Sequence, residues 1–332
     1  MIVIVFQGIE IQVIQEIAAL TVQQEAAIER KAEAIARDKT RYSSKARQNR
    51  EHHPIRSVGT RQAVVSALKV FGRFLEASKL GNLGAVPSGA AQIFLLARAA
   101  SGISRSQLKK DRMALEFAFG ERLEPAAALP RAARPPREVS REQMDQIVKR
   151  QSPRNALSSE IAYDSGARAF ELLTIARPEE QPPSDRNWIE TMHLGSAQGV
   201  AYTVRGKGGL VHLIMLRKDL AEALERKRRP QPIKVHDRKR DLLSYYDIAG
   251  GVQWASSYRK AARRAFGESP GGHSTRHGYV ANRRHTLKNL GLGKKAIDAT
   301  ISQEIGHFRE DIIGQYYARG PWKPVGAAQL SL

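Results

Sequence analysis

The chain has 332 residues, enough for two domains that each bury a core, and its 42% hydrophobic content fits globular folding rather than disorder. Lys and Arg number 54 against 33 Asp and Glu, a formal net charge of +21 that favours a polyanionic partner, because each phosphate a protein neutralises releases condensed counterions. There is no cysteine, which excludes disulfides and thiolate metal sites.

The opening Met1-Ile2-Val3-Ile4-Val5-Phe6 is apolar, but Glu10 and Glu16 soon interrupt it. It lacks a basic leader and a small-residue cleavage site and is too short to span a bilayer, so a soluble, cytoplasmic protein is expected. Residues 10–36 are rich in Ala, Glu, Gln and Ile, a composition that predicts a helix. Residues 39–56 are polar and basic and read as a loop or arm. Val64, Leu68, Phe71 and Leu75 recur at spacings of three and four and predict an amphipathic helix over 60–78, which Gly81-Asn82-Leu83-Gly84 breaks. Helices are predicted over 89–100 and 104–119, the second capped by Ser104 with Gln107 three residues on. The first third thus reads as an all-helical unit.

A Pro-rich, basic stretch over 124–137 suits a linker. Ser140 and Gln143 form a capping-box pair that predicts a new helix, and the next predicted helix carries Arg168. Two strands over 200–204 and 210–216, joined by Gly206-Lys207-Gly208-Gly209, read as a hairpin. Helices are expected from there onward, interrupted at 267–272. The expected organisation is an N-terminal helical and basic arm over 1–56, a helical unit over 57–124, a linker over 125–138 and a second, mixed unit over 139–332.

Four segments carry chemistry. Arg168 lies in Ser165-Gly166-Ala167-Arg168-Ala169-Phe170-Glu171-Leu172, among apolar residues where a guanidinium needs a carboxylate or phosphate partner to offset desolvation. Glu171 or Asp164 could answer it internally. Lys207 at the hairpin tip is either an ordinary turn lysine or an ammonium able to protonate a leaving oxygen, with Arg205 the nearby alternative. In Gly272-His273-Ser274-Thr275-Arg276-His277, His273 and Arg276 share one helical face. A helix starting after Gly272 would also aim its N-terminal dipole at an anion, although a plain basic surface helix carrying Arg283, Arg284 and His285 gives the same composition. Ile305-Gly306-His307 is followed nine and ten residues later by Tyr316 and Tyr317. Two guanidiniums can orient a phosphate through forked hydrogen bonds, and a phenol can form a covalent intermediate. A phenol has an ordinary pKa of about 10, so the arginines must stabilise both the phenolate and the phosphorane.

These boxes, in this order, resemble those of the tyrosine recombinase (phage integrase) family. The resemblance covers residues 137–319 and is looser over 59–119; Ala167 and Phe170 depart mildly from the first box. It implies a mainly α fold: a helical core-binding domain, then a mixed, mostly helical catalytic domain with a small antiparallel sheet, the two closing around duplex DNA. It implies Arg168, Lys207, His273, Arg276, His307 and Tyr316 as the catalytic set, with Glu171 supporting and His277 structural. The nine-residue spacing from His307 assigns the nucleophile to Tyr316 rather than Tyr317. The implied reaction is site-specific recombination through a 3′-phosphotyrosyl intermediate, needing no metal or nucleotide cofactor because the arginines and histidines supply the charge stabilisation. The implied partners are double-stranded recombination sites, three further copies of the chain in a homotetramer on two sites, and accessory DNA-bending factors, placing the protein at the bacterial nucleoid. A type IB topoisomerase-like nicking-closing enzyme and a catalytically inactive DNA-binding relative are the rival readings. The basic tracts Arg226-Lys227-Arg228-Arg229 and Asp237-Arg238-Lys239-Arg240 read as solvated charge or phosphate contacts, and Trp322 as an anchor onto a neighbouring subunit.

Overall fold

Thr21 opens the first helix: its hydroxyl accepts from the Gln24 amide, and the Gln24 side chain accepts from the Thr21 amide in return. In the computed structural model, described for residues 2–6, 9–13, 20–39, 58–127, 135–196, 198–237 and 240–324, this helix is α1 (Val22–Asp38). It begins twelve residues later than its composition predicts. Ile9, Ile11 and Val13 alternate with Glu10 and Gln12, a period-two pattern of β-branched residues, and Ile9–Val13 forms strand β2 against β1 (Ile2–Phe6), with Ile4 opposite Ile11. The first third is therefore not all-helical. The basic segment over 40–57 lies outside the described residues.

Contacts divide the chain into units Met1–Ala133 and Arg134–Leu332. In the first, α2 (Val58–Ala77), α3 (Ala90–Ala100) and α4 (Arg105–Phe119) join α1. The predicted stripe of α2, Val64, Leu68, Phe71 and Leu75, is buried against Ile28 and Ala32 of α1, Phe94 of α3 and Leu115 of α4. The Phe71 and Phe94 rings stand 5.1 Å apart at a tilt of 60°, an arrangement that keeps their quadrupoles attractive.

The second unit starts with α5 (Arg141–Val148), capped reciprocally by Ser140 and Gln143, and α6 (Pro153–Ser165), which stops at Gly166 with φ 68°. A 3₁₀ turn, Glu171–Thr174, leads on to the hairpin of β3 (Val200–Arg205) and β4 (Val211–Leu216), with Thr203 opposite Leu213. Next come α7 (Lys218–Glu225), a second hairpin of β5 (Arg228–Asp237) and β6 (Arg240–Tyr246), α8 (Gly251–Phe266), α9 (Ser274–Asn289), α10 (Lys294–Glu304) and a π-helical turn, Ile313–Tyr317. Helices were expected where β5 and β6 lie. Most of β5 is exposed, so no buried alternation marks it in the sequence. Two buried clusters anchor this unit. One gathers Ile161, Tyr202, Ile214, Trp254 and Tyr258; the other gathers Tyr279, Leu287, Ile301, Ile305, Ile313 and Tyr317 beneath the α9–α10 pair.

Two expectations are corrected here. Arg168 lies not on a helix but in the turn after Gly166, because the left-handed glycine ends α6. Trp322 is buried in its own unit, with its ring 5.3 Å from Phe266 and its amide donating to the Glu138 carbonyl at 2.7 Å. No helix among the described residues is long and apolar enough to cross a membrane.

Candidate active site

The break at Gly166 sets the first arginine. A Cβ at Gly166 would stand 2.6 Å from the Tyr279 ring, so only glycine lets the turn approach α9 this closely. Past it, the Arg168 amide donates to Glu171 Oε2 at 2.7 Å, and its guanidinium Nη1 donates to Glu171 Oε1. Nη2 meets Nε2 of His307 at 2.7 Å; a guanidinium can only donate, so this imidazole nitrogen accepts. Arg276, in the first turn of α9, is fully buried. Its Nε donates to the Tyr317 hydroxyl at 2.9 Å and Nη1 to the Gly166 carbonyl at 2.7 Å and, more weakly, to Glu171 Oε2 at 3.5 Å. Its Nη2 donates to the Ile305 carbonyl. His273 occupies the N-cap of α9, with Nε2 3.4 Å from the same Tyr317 hydroxyl.

His307 is delivered by the turn that ends α10. Its amide donates to the Ser302 carbonyl at 2.7 Å, and Gly306 takes φ 65° with its α-carbon against His212, where a Cβ would lie 2.8 Å from the ring. Lys207 opens the short turn Lys207–Gly209 between β3 and β4. The backbone just before it lies on the arginine cluster: a Cβ at Gly206 would be 3.0 Å from Glu171 Oε1 and 3.9 Å from Arg168 Nη1. Arg205 is exposed and turned to Gln181, its Nε 3.4 Å from Oε1. The structure thus gathers Arg168, His273, Arg276 and His307 around Glu171 and Tyr317, with the Lys207 turn alongside.

Tyr316 and Tyr317 are placed differently. Tyr317 is buried, its hydroxyl between Arg276 and His273. The Tyr316 ring is partly exposed, 5.5 Å from that of His277 and covered by the Arg319 guanidinium at 4.2 Å. The intervening turn is π-helical, a conformation that accommodates one residue more than an α-helical turn. It therefore lets the tenth residue after His307 reach a place that regular helix would give to the ninth.

Charge in the cluster is unbalanced. Burial opposes ionisation of Glu171, yet Arg168, His212 and Arg276 outweigh it and hold its carboxyl well below the usual carboxylate range. Against that one carboxylate stand two guanidiniums. Burial, then the charge of Arg276, depresses His273 to about 3; burial and Arg168 depress His307 to about 4; burial and Arg319 depress His277 to about 4. At neutral pH all three imidazoles are uncharged, and the cluster of Arg168, Arg276 and Glu171 carries one excess positive charge. An anion that reaches the cluster meets the partly exposed Arg168 guanidinium, and its negative charge would raise the basicity of the imidazoles beside it.

His212 escaped the sequence reading. It is fully buried on β4, with Nε2 3.9 Å from Glu171 Oε1 and its ring against Gly306, so it backs the carboxylate that holds both arginines. A signal was available: His212 shares the inward face of a period-two strand with Ile214 and Leu216, a polar residue on an apolar face. The tract 226–229 proves half internal. Arg228 pairs with Glu180 and donates to the Tyr246 hydroxyl at 3.1 Å, and Arg229 pairs with Asp247 at 2.8 Å, leaving Arg226 and Lys227 exposed. Arg238 and Lys239 of the second tract lie outside the described residues.

No protein-family model matches the sequence, and no curated protein matches it. Among solved structures, the chain is similar to a lambda integrase dimer bound to a COC′ core site, with a TM-score of 0.52 over 91% of this chain and 82% of that one, at 13% identity. It is also similar to the XerH site-specific recombinase bound to palindromic difH substrate, with a TM-score of 0.49 at 14% identity over 90% and 96% of the two chains. A third similar structure is the Tn1549 transposon integrase in complex with a circular intermediate DNA, with a TM-score of 0.49 at 12% identity over 88% and 95%. The mainly helical fold with small antiparallel hairpins is that of the tyrosine recombinases, as the motifs imply.

Proposed function

We propose that the protein is a site-specific DNA recombinase that cuts and rejoins duplex DNA through a 3′-phosphotyrosyl intermediate. The observation that carries this reading is the convergence of Arg168, Arg276, His273 and His307 on one buried carboxylate and one tyrosine hydroxyl, with a positive charge left over. A phosphodiester carries the single negative charge the cluster lacks. In the proposed step the tyrosine oxygen attacks phosphorus, and the bond to the 5′ oxygen breaks. The negative charge of the bound phosphate raises the basicity of His273, which takes the phenol proton, and Lys207, at the hairpin turn, supplies one to the leaving 5′ oxygen. Arg168 holds the non-bridging oxygens as charge builds on the phosphorane, and Arg276 joins it by exchanging an internal carbonyl partner for phosphate. A 5′-hydroxyl from another strand reverses the step, so the bond energy is retained and no nucleotide cofactor is consumed. Four such exchanges in pairs call for a tetramer on two sites.

Geometry and spacing point to different tyrosines. The hydroxyl held by Arg276 and His273 belongs to Tyr317, which we take as the nucleophile. The nine-residue spacing from His307 favours Tyr316 as the second reading.

Nicked suicide duplexes drawn from the DNA flanking the gene test the proposal. A denaturation-resistant protein–DNA adduct, formed in EDTA and lost when both tyrosines become phenylalanine, is expected. Binding without any adduct would leave the DNA-binding relative as the better description. Relaxation of plasmids lacking a cognate site would favour the topoisomerase-like reading, and an adduct that requires magnesium would remove the metal-free mechanism.

A further inference from the structure

Beside His307 the surface changes from cationic to aromatic. Phe308 is 47% exposed, its ring 5.2 Å from that of Trp188 at a tilt of 45°, and the Arg186 guanidinium stands 5.9 Å from the Phe308 centroid. A lone exposed aromatic needs no explanation, but this pair is fastened from behind. Trp188 Nε1 donates to the Ser184 carbonyl at 3.0 Å. The Ile189 amide donates to Gln303 Oε1 at 2.7 Å, and Gln303 Nε2 reaches the Asn187 carbonyl at 3.5 Å. Gln303 lies in the last turn of α10, which runs directly into Ile305-Gly306-His307. One joint therefore fixes both the aromatic pair and the histidine that touches Arg168.

We propose that Arg186, Trp188 and Phe308 form a stacking platform for a nucleobase unpaired from the duplex next to the phosphate bound by Arg168 and Arg276. The idea rests on the strand-transfer reading above. For a hydroxyl from another strand to reach a phosphotyrosine, the bases at the break must leave their own helix, and each loses its stacking partners. An aromatic face restores that contact for any base, without reading sequence. A protein wedge at a base step also lowers the cost of opening it. The place fits: Phe308 follows His307 directly, and Arg186 brings a positive charge to the outer edge of the pair, suited to the phosphate of the displaced nucleotide. Arg309, next in the chain and largely exposed, pairs with Asp311 at 3.1 Å.

The test needs no cognate site. Short duplexes of random sequence, fully paired or with a small internal bubble carrying 2-aminopurine, are titrated with the full-length protein. The wild type is expected to bind the bubble about tenfold more tightly than the paired duplex, within the range that one base–aromatic stack supplies, and to quench the 2-aminopurine. Phe308→Ala should lose both the preference and the quench, while Phe308→Trp keeps them; an unchanged thermal midpoint shows that Phe308→Ala is folded. An unchanged bubble preference in Phe308→Ala overturns the proposal. So does a variant whose only defect is fewer protomers per DNA, since that would mark the patch as a protein contact. Neither readout involves covalent attachment, so failure of the recombinase reading shows in the suicide-duplex assay and failure of the platform shows here.

Discussion

Arg168 and Arg276 do unlike work although both touch Glu171. Arg168 is the outer member, its side chain 24% exposed, with Nη2 on His307 that a phosphate oxygen could share. Removing it takes the closest guanidinium from Glu171 as well as the charge stabilisation: Arg168→Ala is expected to lower thermal stability and, in the folded protein, to slow single-turnover cleavage about 10²–10³-fold at saturating protein, with modest loss of affinity. Cleavage at the wild-type rate once saturated would reduce Arg168 to a structural ion pair. Arg276 has each guanidinium nitrogen engaged inside the protein. Its truncation strips partners from Glu171 and two carbonyls, a kind of loss that costs about 3–5 kcal/mol, so Arg276→Ala confuses stability with chemistry. The tyrosines separate more cleanly. Tyr317→Phe should abolish the covalent adduct while leaving binding intact, and Tyr316→Phe should retain it; the opposite result reassigns the nucleophile to Tyr316.

At the level of elements, the site depends on three helix ends: Gly166 closing α6, His273 opening α9 and Gly306 after α10. Gly306→Ala adds left-handed strain and drives a methyl into His212, at a cost of about 1–3 kcal/mol. The displaced turn carries His307, so cleavage should fall by at least about tenfold, the effect of a misplaced catalytic group. Full cleavage at an unchanged melting temperature would show that the turn tolerates the shift. The β5–β6 hairpin invites a contrast within one basic run. Lys227→Ala should flatten the salt slope of DNA binding by about one unit, as loss of one phosphate contact does. Arg228→Ala should leave the slope alone and lower thermal stability, because that arginine already serves Glu180 and Tyr246. Equal slopes for wild type and Lys227→Ala would remove the tract from the DNA interface.

Over the whole molecule, stability should be sensitive to mild acid. His277 has a folded pKa of about 4 against an ordinary 6.5, so below pH 6.5 the unfolded chain binds the proton that the folded chain refuses. Stability is therefore fully present above that value and is lost as pH falls toward 4, by about 1.4 kcal/mol per pH unit for a fully buried histidine. His273 and His307 act in the same direction, and the lowered carboxyl of Glu171 withdraws its contribution at still lower pH. Thermal melts are expected to drop between pH 7 and pH 5, and His277→Phe to flatten that dependence. A midpoint unchanged between the two values would show that the imidazoles are solvated. A protein with a net charge of +21 also gains from its polyanion, so added duplex DNA should raise the melting point more at low salt than at high.

The sequence by itself determined the local things. The stripe Val64-Leu68-Phe71-Leu75, the Ser140–Gln143 cap and the Gly-rich hairpin turn all act within a few residues, where helical or strand periodicity translates directly into position, and the order of the motif boxes is read along the chain itself. β2 is hidden because its five residues alternate inside a stretch whose Ala, Glu and Gln content favours helix, and β5–β6 because an exposed hairpin has no buried face to show. Only the tertiary structure decided which side chains meet. Residues 168, 212, 276, 307 and 317 are brought together by three chain reversals at glycine-rich helix ends, and no periodicity carries that distance. The choice between neighbouring tyrosines is of the same kind: one residue along a helical turn rotates a side chain by about 100°, and a π-helical turn, stabilised by what packs around it, sets which hydroxyl faces Arg276.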